Sequence, residues 1–521
     1  MPDVQPHSYD QIPYPSLAIR RTHPSHLAVL ARLFGLPAPP PRRCRVLELG
    51  CAAGGNLLPM AVDFPDSQFL GIDASARQIA DGQALLDALG LTNIELRPLD
   101  ILAIPHDLEP FDYILCHGVF SWVPRAVQDQ ILQIGRRLLA PHGVVYISYN
   151  TYPGWYLRAV VRDMMRYHVR NLQDPREKIG QARALLDFLV KSASGRTEAY
   201  RQVLRDEAEI LSQREDAYLF HEHLEDTNQG LYLHEFLERA EEVGLQYLAD
   251  AEFSAMLPSD FGPEVAGLLD QAPLVVQEQY LDFLRNRSFR GTLLCSASLE
   301  LQRQIDPLRL AGCDVTLDAH LEIPDTVPPA GEPLVCHAAG DTIRAGHPAT
   351  QAAIICLNEI WPESLSFDEL CSATARRLAA GVSSLPNEVE RWRRRLAEDL
   401  MTLYSRRLLR VLVDAPRCTT RISDLPMVTP LARWQATQGG STVNRRHESV
   451  RLTDPSRCLM PHLDGGHDRD ALREVLGQAV THGPLEVRRD GQRLDRIGPE
   501  TLDRILDHTL RWLAENALLV G

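Results

Sequence analysis

The sequence lacks the features that identify several classes of protein. No stretch approaches about 18 consecutive uncharged apolar residues, the length that a helix needs to span a membrane. The start, MPDVQPHSYD, shows none of the basic, apolar and small-residue segments of a secretory signal. The ten cysteines include no CxxC pair, which argues against both a zinc site and a disulfide framework. We therefore expect a soluble cytoplasmic protein with reduced cysteines and no metal.

Basic residues are in deficit, and the formal net charge is −15. A nonspecific nucleic-acid binder needs a basic surface for phosphate contacts, so this class is excluded. The chain of 521 residues is too long for one ordinary domain, and two to four hydrophobic cores are expected.

The first motif is RVLELGCAAGGN at residues 45–56, an apolar strand that runs into a glycine-rich turn. A second strand, FLGID, follows and ends at Asp73. This order is typical of a doubly wound sheet that binds the adenosine half of a ligand, with the acid on the ribose. The turn is not GxGxxG, and Glu48 before it would repel a pyrophosphate but suits a cationic ligand. The alternative is a purely structural strand-to-helix turn.

Further strands are predicted to end at the same edge of the sheet. NIELRPLD ends at Asp100, where the acid either meets an adenine amino group or caps the next segment. FDYILC ends at Cys116 and is followed by His117 and Gly118, and a fifth strand leads into SYNTYPGW. We therefore expect an α/β protein with a doubly wound, Rossmann-like sheet.

Composition and hydrophobic periodicity divide the rest of the chain. Helices are predicted over 155–210, and a proline-rich boundary lies at 323–333. Beyond it, the order helix, helix, helix, strand suits a winged-helix-like unit. The predicted domains are an N-terminal arm (1–43), a catalytic domain (44–210), a mostly helical second domain (211–300), a winged-helix-like middle domain (301–415) and a C-terminal interaction domain (416–521).

Four sequence motifs carry a resemblance to a known family. They are YDQIPYPS with THP in the arm, HGVFSWVP, SYNTYPGW, and HEHLEDTNQGLYLHEFLERAEEVGLQYL. Together they resemble class I S-adenosylmethionine-dependent methyltransferases with a methyltransferase regulatory domain, and in particular the rickettsial protein-lysine methyltransferases of outer-membrane proteins. The resemblance implies a seven-stranded methyltransferase sheet, S-adenosylmethionine as cofactor, a lysine-bearing protein acceptor and possible homodimerisation.

The resemblance also implies cofactor-binding residues. The methionine part would lie against Glu48, Gly50, Gly54 and Asn56 beside Cys51, the ribose against Asp73 and Ala74, the adenine against Asp100 and Ile101, and the cofactor edge against Cys116, His117 and Gly118. Tyr9, Tyr14 and Ser16 of the arm would form a lid.

The aromatic residues at two strand exits predict an acceptor site. Such walls can desolvate an amine, lower its pKa and hold the methylammonium product by cation–π contact. His117 either removes a proton or contacts the cofactor. Tyr149 and Asn150 are predicted to orient the acceptor. The aromatic candidates are Tyr14, Phe120, Trp122, Tyr149, Tyr152 and Trp155, with Trp122 and Trp155 favoured.

The run HEHLED invites a metal interpretation, which the spacing opposes. His221 and His223 are two residues apart and would point to different faces of a helix. We instead expect a rim of the site, with Asn228, Tyr232 and His234 shaping the substrate entrance.

Three functions remain open on the sequence. The first is a protein-lysine methyltransferase whose trailing domains dock a polypeptide. The second is a small-molecule or natural-product methyltransferase whose extra domains close the pocket. The third is a cofactor-binding regulator without catalysis.

Overall fold

The computed structural model describes residues 8–192, 198–329, 331–338, 341–379, 386–489, 492–494 and 497–520. The chain forms two compact units. Unit 1 contains residues 1–17, 44–57 and 68–301, and unit 2 contains residues 18–43, 58–67 and 302–521. Within the described ranges, no helix is long and apolar enough to cross a membrane.

Unit 1 contains a seven-stranded sheet with the strand order 3-2-1-4-5-7-6. The first five strands pair in parallel, whereas β7 pairs antiparallel with both β5 and β6. The carboxyl ends of the parallel strands therefore meet at one edge. The strands are β1 (Arg45–Leu49), β2 (Gln68–Asp73), β3 (Ile94–Pro98), β4 (Phe111–Cys116), β5 (Leu139–Asn150), β6 (Leu245–Asp250) and β7 (Phe289–Ser296).

The helices of unit 1 follow signals that are visible in the sequence. Ser75 caps α4 by accepting a hydrogen bond from the Gln78 N–H, and Gly90 ends the helix in the left-handed conformation, with φ of 63°. Glu235 closes a capping box at the start of α10. These helices are α1 (Ser8–Gln11), α4 (Ala76–Leu89), α5 (Arg125–Arg137), α6 (Gly154–Val169), α7 (Pro175–Ser192), α8 (Glu198–Ser212), α9 (Asp216–Leu219), α10 (Leu233–Glu242), α11 (Gly262–Leu269) and α12 (Leu274–Arg285).

The segment 211–300, predicted as a separate domain, supplies the last two strands of this sheet. A buried ion network joins them to α12. Arg290 on β7 is fully buried and donates to Asp250 at 3.2 Å, Asp282 at 2.9 Å and Glu278 at 2.6 Å. Arg287 donates to Asp250 at 3.0 Å. Two guanidinium groups therefore bind three carboxylates that water does not reach.

Unit 2 begins with helices that the proline and capping signals predict. Pro24 stands at the first position of α2, and His23 caps that helix through a 3.2 Å hydrogen bond from the Ser25 N–H. The helices are α2 (Pro24–Leu33), α3 (Leu57–Asp63, in this unit from Leu58), α13 (Pro348–Glu359), α14 (Phe367–Ala379), α15 (Pro386–Ser405), α16 (Pro430–Gln438), α17 (Asp454–Leu459), α18 (Arg469–His482) and α19 (Pro499–Glu515).

The sheets of unit 2 are small. A three-stranded sheet has the order β11-β8-β12. Along the chain the elements follow as α13, β11, α14, α15 and β12, so the short strand β11 interrupts the helix, helix, helix, strand order expected from the sequence. The helices α16–α19 surround a separate apolar core near the end of the chain. The strands are β8 (Asp314–Leu317), β9 (Leu334–Ala338), β10 (Asp341–Ala345), β11 (Leu365–Ser366), β12 (Leu409–Leu412), β13 (Met427–Val428), β14 (Ser441–Val443), β15 (Ser449–Arg451), β16 (Val487–Arg489), β17 (Gln492–Leu494) and β18 (Leu519–Val520).

The ion network predicts a large stability loss for Arg290→Met. Removing the guanidinium leaves buried carboxylates without their cation, which costs about 3–5 kcal/mol. The measurement is thermal and urea unfolding followed by far-UV circular dichroism. The matched control is Arg97→Met, which removes an exposed ion pair with Glu95 on the same sheet and is expected to cost less than about 1 kcal/mol. Equal losses in the two variants would contradict this account.

Candidate functional site

The glycine turn after β1 surrounds a buried carboxylate. Gly50 and Gly54 both have φ of 76°, and a Cβ on Gly50 would lie 2.3 Å from a Val119 methyl. Glu48 is buried and accepts a 2.8 Å hydrogen bond from Asn56 at Oε1. No hydrogen-bond donor in the described part of the chain reaches its Oε2 atom. Burial raises the pKa of Glu48 to about 7. A buried carboxylate oxygen without a donor fits a cationic ligand.

Asp73 connects the turn to the next helix. Its two carboxylate oxygens accept 2.8 Å hydrogen bonds from the N–H groups of Ala52 and Ser75. These bonds fix the orientation of the carboxylate at the end of β2. The neighbouring Ala74 is exposed at the same strand end.

Asp100 lies beyond the end of β3, which terminates at Pro98. Its Oδ1 atom accepts a 2.8 Å hydrogen bond from the Leu102 N–H and so caps the short turn Ile101–Ala103. The capping interpretation of Asp100 is therefore realised in the structure. Because Asp100 is exposed, the cap leaves it accessible at this edge of the sheet.

Cys116, His117 and Gly118 lie in succession at the exit of β4. Cys116 is fully buried, and burial raises the pKa of its thiol. His117 Nδ1 lies 2.9 Å from the Tyr146 hydroxyl and 3.3 Å from the Ser148 hydroxyl. Gly118 has φ of 68°, and a Cβ there would meet nothing within 4 Å. The protein thus engages Nδ1 of His117 and leaves space next to Gly118.

Two tryptophans meet at the strand exits. Trp122 and Trp155 pack edge to face with their ring centroids 6.1 Å apart, and Trp155 donates to Asn228 Oδ1 at 2.7 Å. The amide nitrogens of Asn150 and Asn228 are buried, and neither has a hydrogen-bond partner among the described residues. Tyr152, also predicted as part of the aromatic wall, is half-buried and stacks on Tyr156 and not on either tryptophan. Trp155 is itself buried, so Trp122 is the ring of this pair that is partly exposed.

Two predicted wall residues belong to the core. Phe120 and Tyr149 are buried and both pack against Phe236, with Tyr149 stacked on it at 4.3 Å. The Tyr149 hydroxyl lies 3.0 Å from the Thr292 hydroxyl. Because alternate residues of a strand face opposite sides of the sheet, Tyr149 and Asn150 diverge. Phe120 and Tyr149 therefore stabilise the core and do not line the strand exits.

The N-terminal arm crosses the cofactor end of the sheet. The Gly55 N–H donates to the Ser16 hydroxyl at 2.7 Å, and the Ser75 hydroxyl donates to Asp10 at 2.6 Å. Tyr9 stacks on His221, and Tyr14 packs edge-on against the same ring. Of the three arm residues predicted as a lid, Ser16 contacts the glycine turn, whereas Tyr9 and Tyr14 pack on His221.

The sequence did not reveal the network behind Trp155. Arg158 lies 5.2 Å from the Trp155 ring and makes a two-pronged ion pair with Glu207. His223 Nε2 lies 2.8 Å from Glu207 as well. Burial acts to raise the pKa of Glu207, but the hydrogen bonds from His223 and Arg158 outweigh it and lower the pKa to about 2. No spacing signal joins these residues, because they lie on separate helical segments.

The histidines of HEHLED have separate hydrogen-bonding partners. His221 lies against Glu225, and His223 lies against Glu207. Farther along, His234 Nδ1 lies 3.0 Å from Gln279, and its ring stacks on Tyr232. Where the structure is described, no group of three or more His, Cys, Asp or Glu residues is arranged to hold a metal ion.

Three family models match the chain. A methyltransferase domain matches residues 41–223, a predicted methyltransferase regulatory domain matches 215–296, and a PKMT C-terminal winged helix domain matches 424–518. The predicted fold class, a seven-stranded methyltransferase sheet with winged-helix-like C-terminal modules, is confirmed by these matches and by the structure.

Relatives extend the likeness over nearly the whole chain. An uncharacterised protein of Rickettsia prowazekii is 34% identical and covers 98% of this chain and 93% of its own length. The solved structure of PKMT2 from Rickettsia typhi matches with a TM-score of 0.88 and 29% identity over 98% of this chain and 100% of that one. The same protein in complex with AdoHcy matches with a TM-score of 0.87 and 30% identity over the same shares.

The geometry of the cofactor end agrees with these likenesses. A strand order of 3-2-1-4-5-7-6, an unpartnered buried carboxylate and a fixed acid after β2 suit a ligand with a cationic amino acid part and a ribose. The chain belongs to the family of PKMT2 from Rickettsia typhi and is a class I S-adenosylmethionine-dependent methyltransferase with a regulatory domain and a C-terminal winged helix.

Proposed function

We propose that this methyltransferase transfers methyl groups to lysine side chains of a protein. The observation that carries the proposal is the whole-length likeness to PKMT2, where PKMT denotes a protein-lysine methyltransferase. The likeness includes the C-terminal winged helix as well as the catalytic sheet. A trailing region of this size is better suited to a polypeptide acceptor than to a small molecule.

The strand exits supply what a lysine acceptor needs. A free lysine has a pKa near 10.4, and only its neutral form attacks a methyl group. Burial against Trp122, which packs on the buried Trp155, would disfavour the ammonium form and lower that pKa. The face of the Trp122 ring would stabilise the methylated ammonium that forms. Arg158 and Asn228 fix Trp155, so the wall is rigid before the acceptor arrives.

The cofactor would be held by residues whose positions suit its charges. When bound, S-adenosylmethionine supplies an electrophilic methyl group on a sulfonium. Glu48 would accept hydrogen bonds from the ammonium group at Oε2, and Asp73 would bind the ribose hydroxyls. Asp100 and Ile101 would contact the adenine, and the open space at Gly118 would leave room beside the reacting centre. Hydroxyls hold Nδ1 of His117 and so fix the orientation of the ring, which suits both a base and a cofactor contact.

A small acceptor is the second candidate. Trans-aconitate 2-methyltransferase of Variovorax paradoxus is 32% identical over 25% of this chain and 44% of its own length. The unused amide donors of Asn150 and Asn228 would also suit a carboxylate-bearing acceptor. This likeness covers a quarter of the chain, so we rank this candidate below the protein acceptor.

The experiment that separates the two candidates follows the methyl group. The purified protein is incubated with methyl-labelled S-adenosylmethionine and a fractionated lysate of the source cells. We expect label in protein that is recovered as methyl-lysine after acid hydrolysis. The Asp73→Ala variant, tested in parallel, corrects for labelling by other enzymes. Label confined to small molecules would contradict the lysine proposal, and so would no label from protein that binds AdoHcy by calorimetry.

Glu48 gives cofactor binding a defined pH dependence. With a pKa of about 7, this carboxyl is partly protonated in the free protein at neutral pH, and a cationic ligand favours its ionised form. Binding should therefore release a proton, and affinity should rise between about pH 6 and pH 8. Calorimetry in buffers of different ionisation enthalpy measures both effects. Glu48→Gln should abolish the proton release and weaken binding about tenfold or more.

Glu48→Gln should stabilise the cofactor-free protein, although it weakens cofactor binding. When the pKa of a carboxyl group is higher in the folded than in the unfolded protein, the free energy of unfolding falls as the pH rises above the unfolded pKa, near 4.3. Glu48→Gln should therefore raise the melting temperature more at pH 8 than at pH 6. Glu109→Gln, at an exposed site, is the control and should change neither the proton release on cofactor binding nor the melting temperature. Proton release that persists in Glu48→Gln would assign the effect to another group.

Trp122→Ala tests the acceptor wall. We expect AdoHcy affinity to stay close to that of the wild type while turnover falls, because the ring would contact the acceptor and not the cofactor. Trp122→Phe should recover part of the turnover by retaining an aromatic face. Asp73→Ala should instead weaken cofactor binding by about 1.5–3 kcal/mol. If Trp122→Ala and Asp73→Ala lose AdoHcy affinity equally, Trp122 does not belong to the acceptor side.

A further inference from the structure

His221 joins the N-terminal arm to the helical part of unit 1. It lies on a π-helical turn, Phe220–Leu224, and its side chain is almost fully buried. The ring stacks on Tyr9 with 4.2 Å between ring centroids and 11° between planes, and it packs edge-on against Tyr14 at 5.6 Å. One side chain therefore contacts two aromatic residues of the arm.

Polar contacts on both ring nitrogens strengthen this connection. His221 Nε2 lies 2.6 Å from the carbonyl oxygen of Ile12, which can only accept, so Nε2 donates. Nδ1 lies 2.8 Å from Glu225 Oε1. Arg162 in turn donates to the Glu225 carbonyl, which anchors the turn to α6. The imidazole is thus held at one end by the helical region and at the other by the arm backbone.

The arm contacts the cofactor cleft at Asp10, between Tyr9 and Tyr14, and at Ser16, just beyond Tyr14. Asp10 accepts from the Ser75 hydroxyl, and the Asp10 carbonyl accepts from Arg77 at 2.8 Å. Ser16 lies so close to the glycine turn that a Cβ on Gly55 would be 2.2 Å from its carbonyl oxygen. The pKa of the Tyr9 hydroxyl is raised by burial and then by the charges of Glu225, Glu222, Tyr14 and Asp73. Tyr9 is therefore close both to carboxylates at the π-helical turn and to Asp73 at the end of β2.

The arm is therefore a strap with two kinds of attachment. Its contacts to Ser75, Arg77 and Gly55 are on the cofactor side, whereas Ile12 packs against the apolar cluster of α6–α9. On that second side, His221 donates a hydrogen bond to the Ile12 carbonyl. Opening the strap requires the His221 contacts to break.

We propose that His221 is a positioning residue that holds the arm closed over the cofactor cleft and thereby sets the rate at which cofactor and product exchange. It acts through Tyr9, Ile12 and Tyr14 and does not itself touch the reacting atoms. The inference does not depend on which acceptor is methylated, because it concerns the exchange of cofactor and product.

The test compares variants of the full-length protein. His221→Ala removes the stacking and both polar contacts, whereas His221→Gln retains a donor in the position of Nε2. We expect dissociation of AdoHcy, measured by displacement in stopped flow, to be about tenfold faster in His221→Ala and intermediate in His221→Gln. The KM for S-adenosylmethionine should rise, while kcat should not fall. His168→Ala, an exposed histidine bonded to Gln181, is the matched control and should change neither rate.

Hydrogen exchange gives a readout that does not depend on activity. Amides of residues 8–17 should exchange faster in His221→Ala and in His221→Gln, while the strands of the sheet keep their protection. A double-mutant cycle with Tyr9→Ala should show that the two substitutions do not add, because they break the same contact.

Three outcomes would overturn the proposal. They are unchanged AdoHcy dissociation with unchanged exchange of the arm, additive effects in the cycle, and a loss of kcat at unchanged AdoHcy dissociation. His221→Gln keeps the test decisive if His221→Ala does not fold.

Discussion

The catalytic sheet depends on one buried cation. Arg290 sits on β7, between β5 and β6, and binds carboxylates from β6 and α12. Water does not reach the group, so removing its guanidinium would leave three buried carboxylates with Arg287 as their remaining cation. By fixing β7 antiparallel to β5, the network positions the last residues of β5, which end at Asn150. The backbone of Asn150 in turn accepts from Leu231, which holds the segment with Asn228 at the strand exits.

The cofactor end presents the opposite electrostatic situation. Glu48 is as deeply buried as Arg290, but one of its oxygens has no donor in the described chain. Each carboxylate of the network has an arginine partner, although one oxygen of Glu278 lacks a donor, whereas no cation among the described residues pairs with Glu48. A buried carboxylate of the second kind is tolerated where a ligand will supply the cation. The two groups lie on the same sheet, so a structural network and a binding site differ here by their partners and not by burial. The arm also contacts this end of the sheet, at the glycine turn and at Ser75.

Local sequence patterns predicted the parallel strands, the glycine turn and the acid at the end of β2, because each depends on near neighbours in the chain. Asp73, Gly50 and Gly118 are at strand exits for that reason. The aromatic set was harder to predict, since sequence distance from a strand end does not tell which face a ring takes. Trp122 and Trp155 meet at the exits, whereas Phe120 and Tyr149 turn into the core against Phe236. The Arg158–Glu207 pair had no sequence signal, because 49 positions separate its members.

The sequence by itself determined the class of the fold, the cofactor and the family, because these rest on strand–turn–helix order, on a few residues at strand ends and on motifs in fixed succession. The tertiary structure decided which side chains share a site. It alone joins β6 and β7 to the sheet, leaves Oε2 of Glu48 without a donor in the described chain and brings Ile12, Tyr9 and Glu225 to His221. The physical reason is that burial and hydrogen-bond partnership are properties of packed neighbours, which the chain brings together from distant positions only when it folds.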